Sequence, residues 1–222
     1  MIIISFVFLI LGTILKKDYT QYINKLVLFK FLDIKVNFVK KEKKINGFIL
    51  SNHRSWLDFS YDNYFMNSTP LGRNLAFWAM AFWGLLHYKE NRIIAFRRKG
   101  ANRKKIYQLC KKHLTSKSNF SERVLFYPEG TRMKYTILKS ANELKEKIKV
   151  GLLKEIYEQK EYPVQLFISS NKELALNEKE LNFTRGVNIN SAMSKGIHPK
   201  NFDTFDKFLN KICNEWYDLW RI

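Results

Sequence analysis

Phe48-Ile49-Leu50-Ser51-Asn52-His53-Arg54-Ser55-Trp56-Leu57-Asp58 opens as a short apolar run, turns through polar residues and reaches an acid at the head of the next segment. The run is too short for a helix and sits behind the charged turn 40–46, so it reads as a buried strand. His53 then stands at the strand's C-terminal end, and Asp58 falls in the first turn of the helix that follows. Open α/β sheets place their reactive groups at such strand-to-helix junctions. A second apolar run, Val124 to Phe126, ends in Tyr127-Pro128-Glu129-Gly130-Thr131-Arg132, a turn carrying a carboxylate and a guanidinium. The two junctions together suggest a base with its orienting acid facing an anion-binding loop.

Around these junctions, strands and helices alternate. Val36 to Val39, Ile93 to Phe96 and Val164 to Ser169 read as further strands. Residues 99–116 and 138–159 read as helices, and Phe205, Phe208, Leu209, Ile212, Trp216, Leu219 and Trp220 follow helical spacing as a core-facing stripe. The pattern predicts a single α/β domain with a mostly parallel mixed sheet flanked by helices, without repeats or an interdomain linker.

At 222 residues the chain can bury a substantial core, and a hydrophobic content of 46% excludes disorder. The net charge of +19 favours anionic partners. Residues 91–121 contain no acid, while Arg92, Arg97, Arg98 and Lys99 begin a basic series there. A nucleic-acid-binding reading would use that stretch but leave both junction motifs and the apolar N-terminus unexplained, so no nucleic-acid partner is expected. Cys110 and Cys213 show neither a metal-ligand spacing nor a disulfide framework, and no metal cluster is visible.

Met1 to Leu15 is uncharged and almost wholly apolar, with Lys16 and Lys17 behind it. As a helix it would measure about 22 Å, short of a hydrocarbon core of roughly 30 Å. It lacks a preceding basic region and a cleavage site, so it reads as a shallow or marginally spanning anchor rather than a signal peptide. The lysines that follow place the rest of the chain on the cytoplasmic side of a membrane. Residues 19–32 continue it with Tyr19, Tyr22, Ile23, Leu26, Val27 and Phe29 at helical spacing, suited either to a bilayer interface or to the domain core. Leu75 to Tyr88, free of acids and lysines, carries the same two alternatives. The chain thus divides into anchor helices over 1–35 and a catalytic domain over 36–222.

Asn52-His53-x4-Asp58 followed by Pro128-Glu129-Gly130-Thr131-Arg132 resembles the glycerolipid acyltransferases typified by lysophosphatidic acid acyltransferase, whose blocks read N-H-x4-D and F-P-E-G-T-R. Here Tyr127 separates Phe126 from Pro128. Arg92 to Arg98 looks like the family's middle block, with Arg98 as its arginine, and Tyr162-Pro163-Val164-Gln165 looks like the last block without its second proline. The resemblance spans residues 45–170. It implies His53 as general base and Asp58 as its orienting acid. It also implies a phosphate site at Arg98, Glu129, Gly130, Thr131 and Arg132. In that site Glu129 would pair with a base or accept from the acceptor hydroxyl.

The chemistry implied is transfer of a fatty acyl group from acyl-CoA, a donor substrate, to the hydroxyl of a lysophospholipid such as 1-acylglycerol 3-phosphate at a membrane containing anionic lipids. No cofactor is required. Glycerol 3-phosphate, lysocardiolipin or a headgroup-bearing lysophospholipid are alternative acceptors. A covalent route through Ser51 or Ser55 is a further alternative, although nothing resembles a nucleophile elbow.

Overall fold

Gly47–Ser51 (β2) is buried along its whole length, as expected of a central strand covered on both faces. Side chains alternate across a strand, and this one feeds two cores. Phe48 and Leu50 point to one face, Ile49 to the other. The computed structural model describes residues 19–74, 93–96, 102–116, 122–133, 138–177, 180 and 182–221.

Among these, β2 is joined by Lys35–Lys40 (β1), Thr69–Arg73 (β3), Ile94–Phe96 (β4), Arg123–Phe126 (β5), Val164–Ser169 (β6) and Asn188–Met193 (β9). They form a sheet in the order β1-β9-β6-β2-β5-β3-β4. Every pairing is parallel except β6 with β9. A two-residue hairpin, Leu176–Asn177 (β7) with Asn182–Phe183 (β8), lies outside it. The mostly parallel α/β fold expected from the sequence is thus the one observed.

Besides the short hairpin, two strands of the seven-stranded sheet escape sequence reading. Thr69–Arg73 contains Pro70 and Gly72, both depleted in strands, and Asn188–Met193 is rich in short polar residues. The first sits toward one edge of the sheet and the second beside the edge strand β1. Both are held by pairing with neighbours rather than by local preference.

One helical layer contains Arg103–Thr115 (α3), Ala141–Lys147 (α4), Gly151–Gln159 (α5) and Phe205–Trp220 (α6). Its buried residues include Tyr107, Leu144, Ile156, Phe208, Ile212 and Trp216. Thr204 caps α6 by accepting from the Lys207 N–H, and Asn102 caps α3 by accepting from Lys105. The continuous helix expected over 138–159 is broken at Ile148–Val150. There the Lys149 N–H donates to the Pro128 carbonyl at 2.7 Å, and Ile148 takes an extended conformation. The break lets the chain touch the loop after β5.

The opposite layer holds Tyr19–Lys25 (α1), which runs into a π-helical turn over Leu26–Phe31, and Leu57–Met66 (α2). Leu28 and Leu32 are wholly buried against Ile49, Tyr61 and Phe167, while Gln21 and Asn24 donate to Asn63 of α2. This part of the expected anchor region therefore joins the domain core along one face. Tyr22 and Phe31 stay exposed on the other. No helix among the described residues is long and apolar enough to cross a membrane. The apolar segments 1–15 and 75–88 lie outside the described residues.

Candidate active site

Asn52 ends β2 with a side chain that bridges to β6. Its Nδ2 donates to the Ser169 carbonyl at 2.8 Å, and its Oδ1 accepts from the Ser169 N–H at 3.0 Å. The clamp fixes where the chain leaves the sheet, in keeping with a turn-shaping role. His53 follows, and its Nδ1 lies 2.9 Å from Asp58 Oδ2. That same oxygen accepts from the backbone N–H groups of Arg54 and Ser55.

Burial works to raise the Asp58 pKa, but the Lys172 ammonium and the His53 hydrogen bond outweigh it, and the carboxyl is held below its ordinary value. An ionised Asp58 requires a proton on Nδ1 of His53. Nε2 is left as the acceptor available to the cavity, where the ring is 15% exposed.

The second junction locks onto the first. Glu129 is 4% exposed, and its Oε2 accepts from the His53 N–H at 2.6 Å. The Met133 N–H donates to the His53 carbonyl at 2.8 Å, and Arg54 Nη1 donates to the Met133 carbonyl at 2.6 Å. Burial pushes the Glu129 carboxyl up to about 8, opposed by the His53 N–H, so the group is largely protonated at neutral pH. Sequence reasoning had aimed Glu129 at a base or an acceptor hydroxyl. In the structure it holds the His53 backbone N–H.

Gly130 turns the loop with φ of +67°, a left-handed conformation suited to glycine, and a Cβ there would meet the Lys149 side chain. Gly130, Thr131 and Arg132 line a cavity of about 570 Å³ together with His53. Arg132 also lies over the Trp56 ring, 5.2 Å from its centroid. Two cations that the sequence did not single out, Arg73 at the end of β3 and Lys149 at the helix break, share this lining. The remaining wall is apolar, including Leu71, Phe96, Ile106, Phe126 and Leu152. Arg98 lies outside the described residues.

Tyr127 looks inserted in the sequence, yet β2 and β5 pair without a bulge from Gly47↔Arg123 to Leu50↔Phe126. It is the next residue along, and its ring stacks on His53 with centroids 4.5 Å apart and planes 21° apart. Its hydroxyl donates to Asp62 Oδ2 at 3.0 Å. Burial and the neighbouring Asp62 charge push the phenol well above its ordinary pKa, so it remains a donor.

His53, paired with a buried carboxylate, and the 130–132 turn thus meet at one cavity lined by Arg73, Arg132, Lys149 and apolar side chains. The Acyltransferase family model matches residues 33–169, more than half of the chain and both junctions. The chain belongs to the Acyltransferase family. No curated protein matches this acyltransferase in sequence. Among solved structures it is similar to the 1-acyl-sn-glycerophosphate (LPA) acyltransferase PlsC of Thermotoga maritima. The two share 18% identity with a TM-score of 0.65, covering 90% of this chain and 76% of that one. At that identity the likeness is one of fold. It places the acyltransferase in the same α/β architecture.

Proposed function

We propose that this acyltransferase moves a fatty acyl group from acyl-CoA to the free hydroxyl of 1-acylglycerol 3-phosphate, with His53 as base and Asp58 as its orienting acid. The observation that carries the reading is the 2.9 Å His53–Asp58 contact at the wall of a cavity lined by Arg73, Arg132 and Lys149 and by apolar side chains. Arg132, Arg73 and Lys149 provide charge-assisted donors for a phosphate, and the apolar wall suits an acyl chain. The fold shared with a protein described as an LPA acyltransferase favours this acceptor over glycerol 3-phosphate or a headgroup-bearing lysophospholipid.

In this mechanism the Nε2 atom of His53 takes the hydroxyl proton as the acceptor oxygen attacks the thioester carbonyl. Asp58 stabilises the imidazolium that forms. The tetrahedral intermediate then collapses, the C–S bond breaks, and the leaving thiolate recovers the proton from His53. Ser51 and Ser55 are wholly buried and no serine lines the cavity among the described residues, which supports direct attack over an acyl-serine route.

Residues 1–15 would hold the enzyme on a membrane, with the domain on its cytoplasmic side. Exposed Tyr22 and Phe31, near Lys25 and Lys30, would add contact with anionic lipid. Thiol release from oleoyl-CoA by the full chain, across a panel of acceptors and beside His53→Ala, tests the reading. Release that requires 1-acylglycerol 3-phosphate and His53 supports it. Turnover retained by His53→Ala, or release only with another acceptor, contradicts the base or the acceptor respectively.

A further inference from the structure

Lys172 is wholly buried, which is rare for a lysine, and it sits directly behind the base. It belongs to a short 3-10 turn after β6, Lys172–Leu174. Its Nζ lies 3.0 Å from both carboxylate oxygens of Asp62, 3.0 Å from the Asn52 carbonyl and 3.5 Å from Asp58 Oδ1. One ammonium therefore serves two buried carboxylates, both on α2 and one helical turn apart. Through the Tyr127 hydroxyl, Asp62 also reaches the ring stacked on His53.

We propose that Lys172 and Asp62 are positioning residues for acyl transfer, a charge-compensating pair that leaves one net negative charge behind His53. This rests on the reading of His53 as the base. With Asp58 and Asp62 ionised and Lys172 charged, the cluster stands at −1, and the proton arriving on His53 brings it to zero. Without the ammonium the cluster would stand at −2 in a buried volume. A solvent proton would then be shared between the two carboxylates, since Lys172 is the main group holding Asp58 ionised against burial. Whenever it sat on Asp58, the imidazolium would lose its counter-ion. With Asp62→Asn added, that exchange is closed and Asp58 keeps the charge. Without Asp62 it would stand at zero, and the imidazolium would lose its driving charge.

Between about pH 6 and 8 the other groups facing the base do not upset this count. Glu129, beneath the His53 backbone, is largely neutral because burial raises it to about 8. Arg54 and Glu173 face each other at 4.0 Å and offset one another. The cations Arg73, Arg132 and Lys149 line the cavity and are the same in every variant below. Asp62 itself is pushed up to about 6 by burial and the Asp58 charge, against the pull of Lys172, so it depends on that lysine to stay ionised.

The count makes an unusual forecast: each single neutralisation harms, and the two together restore. Lys172→Met should lower kcat by about tenfold or more with the acceptor KM within about twofold, since Lys172 does not line the cavity. Asp62→Asn should lower kcat and move the acid limb of its pH profile to lower pH, because an imidazole with less negative charge nearby is a weaker base. Lys172→Met with Asp62→Asn returns the cluster to −1 and should exceed Lys172→Met alone by about fivefold or more.

The test is steady-state kinetics of the full chain in lipid vesicles from pH 5 to 9, with circular dichroism as the folding check and His53→Ala as control. A double variant no better than Lys172→Met overturns the proposal, because a simple tether between Lys172 and the Asn52 carbonyl would not be repaired by a second substitution. If Lys172→Met alone does not fold, Asp62→Asn decides, and a wild-type acid limb there overturns it. An active His53→Ala removes the base reading itself. Inactive His53→Ala beside wild-type behaviour in the other variants removes only this proposal.

Discussion

Replacing Asp58 by Asn removes a charge while keeping the shape, and the surroundings of the carboxylate say which way the amide will face. Oδ2 accepts from three donors, His53 Nδ1 and the N–H groups of Arg54 and Ser55, so the amide oxygen must stay there. The amide nitrogen then falls at the Oδ1 position, beside Ser55 Oγ and the Lys172 ammonium. The histidine keeps its tautomer and loses only the anion that stabilises its protonated form. For unit charges about 4 Å apart at an effective dielectric of about 20 that interaction is worth about 4 kcal/mol. At about 1.36 kcal/mol per decade this is a loss of about three orders of magnitude in kcat. Substrate binding should be nearly unchanged, because Asp58 is wholly buried and does not line the cavity. The assay is thiol release at saturating oleoyl-CoA and acceptor, with enzyme raised to compensate. A variant within tenfold of wild type, folded by circular dichroism, would refute the assignment of Asp58 as the orienting acid.

Three other outcomes follow from the same geometry. Arg132→Ala should raise the acceptor KM by roughly 10- to 100-fold through loss of one charge-assisted contact, with a smaller change in kcat; an unchanged KM removes its phosphate role. Glu129, raised by folding from 4.5 to about 8, contributes stability that is fully present below about pH 4.5 and is lost as pH rises through about 8. Glu129→Gln lacks that dependence, so its Tm relative to wild type should increase from pH 5 to 8.5, and a flat difference would contradict the raised pKa. Deleting Met1–Leu15 should move protein from the sedimenting membrane fraction to the supernatant, and no movement would assign membrane contact to another segment.

Much of this site was legible in the chain itself because it is local. Only four residues separate His53 from Asp58, and a strand followed by a helix turn brings them together whatever else the fold does. The Glu129–Arg132 turn is likewise defined by its own glycine and proline. The strands β2, β5 and β6 were legible because each is a short, mostly apolar run, as burial on both faces of the sheet demands. The strands β3 and β9 were not, since their residues disfavour extended structure and the sheet alone holds them.

Sequence could single out His53, Asp58 and the 129–132 turn, because each lies in a short motif with its own chemistry. Tertiary structure alone decided what surrounds them. Lys172 is 119 positions after His53 and Asp62 lies among the polar residues of a helix; no spacing announces that they meet. They meet because β6 runs beside β2, and its following turn passes beneath the helix that β2 feeds. Lys149 reaches the cavity because a helix breaks to hydrogen-bond the Pro128 carbonyl, and Glu129 turns inward because the His53 N–H needs a partner. Long-range pairing and the demand that buried polar groups be satisfied settle such contacts, and neither is written in any single stretch of the chain.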